Sequence, residues 1–156
     1  MTNFGSLGWV SDRQGYRYQA SHPETGHPWL PIPESILSIW RACFPEDTPL
    51  PDACLINWYD ASARMGLHQD RDEAELDWPV LSVSLGDTAI FRLGGTERRA
   101  KTTSLKLESG DVLILQGTDR LAFHGVDRII PNTSTLLDAP GRINLTLRVA
   151  GPVRSA

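Results

Sequence analysis

Long apolar runs and secretory signals are missing from this sequence. The longest unbroken aliphatic run is Val112–Leu115, which is too short to cross a bilayer. The N-terminus lacks the basic and then apolar pattern of a secretory leader. We therefore expect a cytoplasmic protein that does not enter a membrane.

Cysteine and positive charge are also scarce. The two cysteines, Cys43 and Cys54, stand beside apolar residues, which favours reduced thiols over a disulfide. The formal net charge of -4 argues against strong, indiscriminate binding to a polyanion. Five basic residues do cluster between positions 92 and 106, and we interpret them as a solvated hairpin while leaving a local basic face open as the alternative.

What the sequence does contain is typical of one globular domain. Its 156 residues are 40% apolar and 22% charged. One convincing helix is predicted, from Glu34 to Phe44, because Ile36, Ile39 and Trp40 recur at helical spacing between two prolines. We expect its apolar side to pack against a sheet.

From Cys54 onward the pattern predicts one short strand after another. The strands are separated by Gly-Asp, Gly-Gly and Ser-Gly-Asp turn signals, whereas residues 1–33 show little periodicity apart from a possible strand at 13–18. The acidic segment 70–77 is expected to loop over the surface. The predicted fold is mainly β: a double-stranded β-helix (jelly roll) with one supporting helix near the N-terminus.

The motif His68-Gln69-Asp70 organises the chemistry that we predict. Two residues with one between them point to the same side of an extended strand, so His68 and Asp70 present two metal ligands together. His124 is the best candidate for a third. Two histidines and one carboxylate form the ligand set of non-haem Fe(II) oxygenases.

The last strand, 142–149, alternates without interruption. It places Arg142, Asn144 and Arg148 on one face and aliphatic side chains on the other. Asn57 and Tyr59 likewise share one face of an earlier strand. Polar rows that face inward need a ligand to satisfy them, and a dicarboxylate pairs well with guanidinium groups.

Each of these residues also has a purely structural interpretation. An isolated strand histidine, a capping aspartate or an exposed arginine on an edge strand is common. The joint pattern is what favours a site.

Together these motifs resemble the AlkB family of Fe(II)- and 2-oxoglutarate-dependent dioxygenases. The resemblance rests on Asn57-x-Tyr59, His68-x-Asp70, His124 and Arg142-x-Asn144-x3-Arg148, and it extends from Gly8-Trp9 to the last strand. It is nearest to the bacterial DNA-repair members. It implies one dioxygenase domain over 1–156, in which 1–53 is a nucleotide-contacting segment with the supporting helix and 54–150 is the jelly-roll core.

The resemblance also implies a reaction and a set of roles. The reaction is oxidative demethylation of bases such as 1-methyladenine and 3-methylcytosine in single- or double-stranded DNA, or in RNA, by a monomeric enzyme that uses Fe(II), 2-oxoglutarate and O2. The expected contacts are to iron from His68, Asp70 and His124; to 2-oxoglutarate from Asn57, Tyr59, Arg142, Asn144 and Arg148; and to the nucleotide from Trp9, Tyr16, Tyr18, Asp72 and Arg98. Trp9 and His124 are expected to enclose the base.

Two departures from the family pattern bear on substrate affinity. Family members have more chain before the part that matches Met1, and Leu115 stands where the bacterial pattern has tryptophan. The alternative functions are a 2-oxoglutarate oxygenase for a small molecule or a protein, and a metal-binding jelly roll without turnover.

Overall fold

The computed structural model describes residues 1–152, which form mainly antiparallel strands together with one α-helix. The elements in chain order are β1 (Thr2–Gly5), β2 (Gly8–Asp12), β3 (Gly15–Gln19), α1 (Glu34–Cys43), β4 (Ala53–Tyr59), β5 (Met65–His68), β6 (Val80–Gly86), β7 (Thr88–Leu93), β8 (Thr103–Leu107), β9 (Val112–Leu115), a 3-10 turn (Gly117–Asp119), β10 (His124–Ile130) and β11 (Arg142–Arg148).

Two sheets carry the architecture. A five-stranded sheet has the order β1-β4-β11-β6-β9, and a four-stranded sheet has the order β5-β10-β7-β8. β2 and β3 form a separate hairpin. Strands that are distant in sequence are neighbours in both sheets, as in a jelly roll, so the predicted fold class is confirmed.

The helix α1 supports the outer face of the five-stranded sheet. Pro33 precedes its first turn, and Phe44 is extended because a residue before proline, here Pro45, disfavours helical backbone. Trp40 is 1% exposed and packs in the core beside Leu145 and Leu147 of β11. The prediction that the helix packs its apolar side on a sheet is confirmed.

The alternation of β4 and β11 sets the inner face of that sheet. Asn144 pairs with Asn57 and Arg142 pairs with Tyr59 in the register of the two strands. Because the aliphatic residues of β11 face the helix, these polar residues line the space between the two sheets. The expected inward polar row is therefore present.

The N-terminal region is more regular than the sequence predicts. β1 pairs with β4, with Asn3 opposite Leu55, and β2 pairs with β3, with Trp9 opposite Tyr18. The pairing of β1 with β4 joins residues about fifty positions apart, and no local periodicity reports such a contact.

Strand boundaries differ elsewhere by a few residues. The predicted strand from Leu121 starts only at His124, because the 3-10 turn and the residues after it occupy the preceding stretch. Within the described residues, no helix is both long and apolar enough to span a membrane.

Candidate functional site

A cavity of about 360 Å³ lies between the two sheets. It is lined by β4 and β11 on one side, by β5 and β10 on the other, and by the β2–β3 hairpin and the 69–73 loop at its mouth. Every site residue that the sequence predicts lines this cavity, with the exception of Arg98.

The three predicted metal ligands converge in the cavity. β5 ends at His68, which pairs directly with His124 at the start of β10, and Asp70 follows in the loop. Nε2 of His68 is 3.9 Å from Oδ1 of Asp70, and Nε2 of His124 is 3.7 Å from its Oδ2. One ligand atom from each of the three lies within 4.8 Å of the others, which is the spacing of a metal site.

The tautomers of both histidines suit metal binding. Nδ1 of His68 is 2.9 Å from the carbonyl oxygen of Gly66, and Nδ1 of His124 is 2.9 Å from that of Ala122. A carbonyl oxygen only accepts, so each Nδ1 donates its proton, and in the neutral ring this leaves Nε2, on the side of Asp70, as the atom that can bind a metal. Such a second hydrogen bond on the far nitrogen is typical of metal-ligating histidines.

The charge states also suit a cation. Burial raises the pKa of Asp70, but the Arg148 guanidinium 2.8 Å away and the two histidines outweigh burial and bring it to about 2. Burial lowers the pKa of His124, although Asp70 opposes this shift. An ionised carboxylate and neutral imidazoles are the forms that bind a metal, so the donor set fits a divalent iron.

Arg142 is a buried cation that forms no ion pair among the described residues, although the Asp111 carboxylate, beyond ion-pair distance, acts to raise its pKa. It is 2% exposed and its Nη2 donates to Oγ of Ser84 at 2.7 Å, while Nη1 makes longer contacts, at 3.4 and 3.5 Å, to the backbone oxygens of Leu107 and Asp87. Its Nε has no hydrogen-bond partner among the described residues. Burial lowers the pKa of Arg142. A guanidinium left in this condition fits a carboxylate ligand such as one end of 2-oxoglutarate.

Arg148, six residues away on the same face, is already paired. Its Nη2 is 2.8 Å from Oδ2 of Asp70, and its Nε is 3.1 Å from Oε1 of Glu73. The prediction that it also binds 2-oxoglutarate is not tested by this geometry and stays a prediction.

The sequence predicts that the acidic segment 70–77 loops over the surface, but the structure shows that only part of it does so. Asp70 and Glu73 turn inward, with side chains 10% and 1% exposed, whereas Asp72 is exposed. Glu73 also accepts from the Tyr18 hydroxyl at 3.1 Å and lies 3.2 Å from Nη2 of Arg120. The sequence reasoning missed Glu73 and Arg120, because nothing local distinguishes them from exposed neighbours.

Other polar residues of the inner face hold one another in place. Asn144 donates to Oγ of Ser82 at 2.7 Å and accepts from the Thr146 hydroxyl at 2.9 Å. Tyr59 is 7% exposed, and burial raises the pKa of its phenol, so it remains a neutral donor. Asn57 lines the cavity opposite Asn144.

Aromatic residues shape the mouth of the cavity. Trp9 stacks on Tyr16 with ring centroids 5.4 Å apart, and its indole N–H donates to Asp72 at 2.9 Å. The His124 side chain is 9% exposed and its ring stacks on Phe91 at 5.7 Å, whereas the His68 side chain is 41% exposed. His68 is therefore the more accessible ring for a base, in place of the His124 ring that the sequence analysis pairs with Trp9.

Two further predicted features lie apart from the ligands. The Arg98 guanidinium lies outside the cavity lining, 5.7 Å over the ring of Phe123, which is the residue before His124. Leu115 is 4% exposed and lines the cavity.

Comparisons with known proteins agree with this geometry. A sequence model of the 2OG-Fe(II) oxygenase superfamily matches residues 1–148. The chain is 60% identical over 150 residues to an alpha-ketoglutarate-dependent dioxygenase AlkB homolog of Caulobacter vibrioides, covering 96% of this chain and 68% of that protein. It is 44% identical over 155 residues to the alpha-ketoglutarate-dependent dioxygenase AlkB of Escherichia coli, covering 97% and 71%.

The fold has a close counterpart among solved structures. The structure of OsALKBH1 superposes with a TM-score of 0.80 at 37% identity, covering 94% of this chain and 75% of that one. The resemblance that the motifs indicate is thus confirmed over nearly the whole chain. The chain belongs to the 2OG-Fe(II) oxygenase superfamily, among its AlkB-type Fe(II)- and 2-oxoglutarate-dependent dioxygenases.

Proposed function

We propose that this protein oxidatively demethylates N-alkylated nucleobases, of the 1-methyladenine and 3-methylcytosine type, in DNA, with RNA as a further substrate. The observation that carries the proposal is one cavity that joins a metal triad, an unpaired buried arginine and an aromatic mouth. Relatives whose names are those of nucleic acid dioxygenases and demethylases support the substrate class.

In this proposal His68, Asp70 and His124 hold the iron. Their hydrogen bonds to Gly66 and Ala122 keep the Nε2 atoms aimed at one point, and Arg148 keeps Asp70 ionised. Bound iron and 2-oxoglutarate supply the oxidising chemistry, in which O2 is consumed, succinate and CO2 are released, and the hydroxylated methyl group leaves as formaldehyde.

The co-substrate is held by the inner face of β4 and β11. Arg142 binds the distal carboxylate, since it is a buried cation of the cavity that forms no ion pair among the described residues. Tyr59 and Asn57 donate hydrogen bonds to the same molecule. Asn144, which is held by its hydrogen bond to Ser82, forms part of the surface on which the co-substrate lies. The role of Arg148 is to hold Asp70, with a direct contact to the co-substrate as a second expectation.

The base enters from the mouth of the cavity. A nucleobase must leave its stack to reach such a site, and methylation that blocks pairing lowers the cost of doing so. Trp9 offers a stacking face on one side and the exposed His68 ring offers one on the other. Tyr16, Tyr18 and Asp72 line the approach, and we expect Arg98, which lies over Phe123 outside the cavity lining, to contact a phosphate.

We further propose that residues 1–156 act as one dioxygenase domain, with 1–53 contacting the nucleotide and 54–150 forming the catalytic core. The Trp9–Asp72 and Tyr18–Glu73 hydrogen bonds support this, because they join the N-terminal hairpin to the metal-bearing loop. We expect the protein to be a cytoplasmic monomer.

The experiment that tests the function measures formaldehyde and succinate together. The protein is incubated with Fe(II), 2-oxoglutarate and a single-stranded oligonucleotide that carries 1-methyladenine, with the unmethylated oligonucleotide and the His68→Ala variant as controls. We expect equal amounts of both products from the methylated substrate alone. Succinate without formaldehyde on every methylated oligonucleotide would indicate another substrate class, and no succinate would indicate a binding module.

A further inference from the structure

The loop between β5 and β6, residues 69–79, carries Asp70 but has no regular backbone pairing of its own. One side chain, Arg120, fastens it at several points. Nη1 of Arg120 donates to the backbone oxygen of Asp70 at 2.8 Å, and Nε donates to that of Trp78 at 2.6 Å. Its Nη2 lies 3.2 Å from Oε2 of Glu73. Arg120 therefore fixes both ends of the loop and its middle.

Arg120 also balances a buried cluster of four charges. Asp70 and Glu73 face Arg148 and Arg120, and Arg148 is shared between the two carboxylates. Arg120 is 4% exposed, so water cannot take over its contact to the Glu73 carboxylate when the side chain is changed. If its charge is removed, Arg148 is the one cation of the cluster that remains for Glu73, which then competes with Asp70 for it.

Arg120 is close both to Asp70, which its side chain contacts, and to His124, which follows it in the sequence. Only three residues separate it from His124, and one of them is Ala122, whose carbonyl fixes the His124 tautomer. The guanidinium of Arg120 thus holds the backbone of Asp70, and the backbone of Arg120 belongs to the turn that orients His124.

We infer that Arg120 is a positioning residue for the metal centre, which holds the Asp70 loop against the turn that orients His124 and leaves Arg148 free to orient the Asp70 carboxylate. The inference rests on the proposed metal site. It does not require Arg120 to touch metal, co-substrate or base.

The test measures metal binding rather than turnover. Co(II) is titrated into the metal-free protein, and the dissociation constant and the visible absorption spectrum are recorded. Substitution of groups that orient metal ligands typically lowers metal affinity about 10- to 100-fold, and we expect this range for Arg120→Gln, with an altered Co(II) spectrum. Arg120→Lys keeps the charge beside Glu73 but cannot reach all three acceptors, so it should fall between Arg120→Gln and the wild type.

Asp87→Asn serves as the matched control for loss of a buried structural contact. Asp87 is 1% exposed, and its carboxylate accepts from the backbone amides of residues 132, 133, 134 and 141. We expect this variant to lower the melting temperature and leave the Co(II) affinity and spectrum unchanged. A purely structural role for Arg120 would give the same result as the control.

Two outcomes separate this inference from the proposed function. If His68→Ala abolishes Co(II) binding while Arg120→Gln binds as tightly as the wild type, Arg120 has no positioning role and the metal site stands. If His68→Ala also binds normally, the metal site itself is wrong. Should Arg120→Gln fail to fold, Arg120→Lys decides, because wild-type affinity in that variant together with a wild-type spectrum would overturn the inference.

Discussion

Arg142 and Arg148 look equivalent in the sequence, yet the structure gives them opposite electrostatic situations. Arg148 forms ion pairs with two carboxylates, whereas Arg142 is buried and forms none among the described residues. Methionine has a similar length and no charge. We therefore compare Arg142→Met with Arg148→Met, in the ligand-free protein and with 2-oxoglutarate.

In the ligand-free proteins, the two substitutions should change the melting temperature in opposite directions or by different amounts. Replacing a buried, unpaired cation by an apolar side chain is often neutral or stabilising, so Arg142→Met should keep or raise the melting temperature. Arg148→Met leaves Asp70 and Glu73 without their shared cation, and breaking a buried pair costs about 3–5 kcal/mol. For a domain of this size that corresponds to a fall of about 6–20 °C.

Arg142→Met should not destabilise the ligand-free protein, but it should weaken the binding of 2-oxoglutarate. Truncating one partner of a buried, hydrogen-bonded charge pair costs about 2–5 kcal/mol. The dissociation constant for 2-oxoglutarate should therefore rise by about 30-fold to about 4,000-fold in Arg142→Met. Arg142→Lys should recover only part of this loss, because an ammonium lacks the planar fork.

Thermal unfolding monitored by circular dichroism, with and without Mn(II) and increasing 2-oxoglutarate, measures both quantities in one series. The wild type should gain stability as the co-substrate saturates, and Arg142→Met should not gain it over the same range. The reasoning is refuted if ligand-free Arg142→Met unfolds as early as Arg148→Met, or if 2-oxoglutarate stabilises Arg142→Met as it does the wild type.

Four further predictions follow from single contacts. His68→Ala should lose iron and turnover together, measured by metal analysis and formaldehyde release, and full activity would contradict the triad. Asp72→Asn should reduce efficiency on 1-methyladenine and 3-methylcytosine relative to neutral lesions, but only up to about fivefold because Asp72 is exposed and exposed pairs contribute about 0–1 kcal/mol; an equal loss on all lesions would mean that Asp72 reads no charge. A thiol reagent should label Cys43, which is exposed, and spare Cys54, whose pKa burial raises to about 12, until the protein is unfolded, and mass spectrometry of labelled peptides would reveal the opposite. Trp40→Ala should lower the free energy of unfolding in urea by about 3–5 kcal/mol, since Trp40 is 1% exposed, and a loss below about 1 kcal/mol would show that the helix is not packed as described.

Much of the site follows from the sequence because strand periodicity is a local property. Alternation in 142–149 and in 54–59 assigns each residue to a face, and the structure has the same faces in β11 and β4. The spacing of His68 and Asp70 likewise limits how far apart their side chains can lie. The family resemblance added His124 with its role, which periodicity alone left as one candidate.

Non-local pairing lies beyond what such patterns report. Residues 2–5 show no alternation that predicts a strand. They form β1 by pairing with the edge of β4, a contact that is distant in sequence. The start of β10 at His124 depends on the 3-10 turn before it, which the apolar pattern from Leu121 does not reveal.

Charge partners were likewise decided by the tertiary structure. The sequence places Arg142 and Arg148 on one face, but only the folded loop brings Asp70 and Glu73 to Arg148, while Arg142 forms no ion pair among the described residues. Arg120 joins the same cluster from a distant turn. Periodicity fixes the direction of a side chain, whereas its electrostatic environment is a sum over neighbours that only the folded chain assembles.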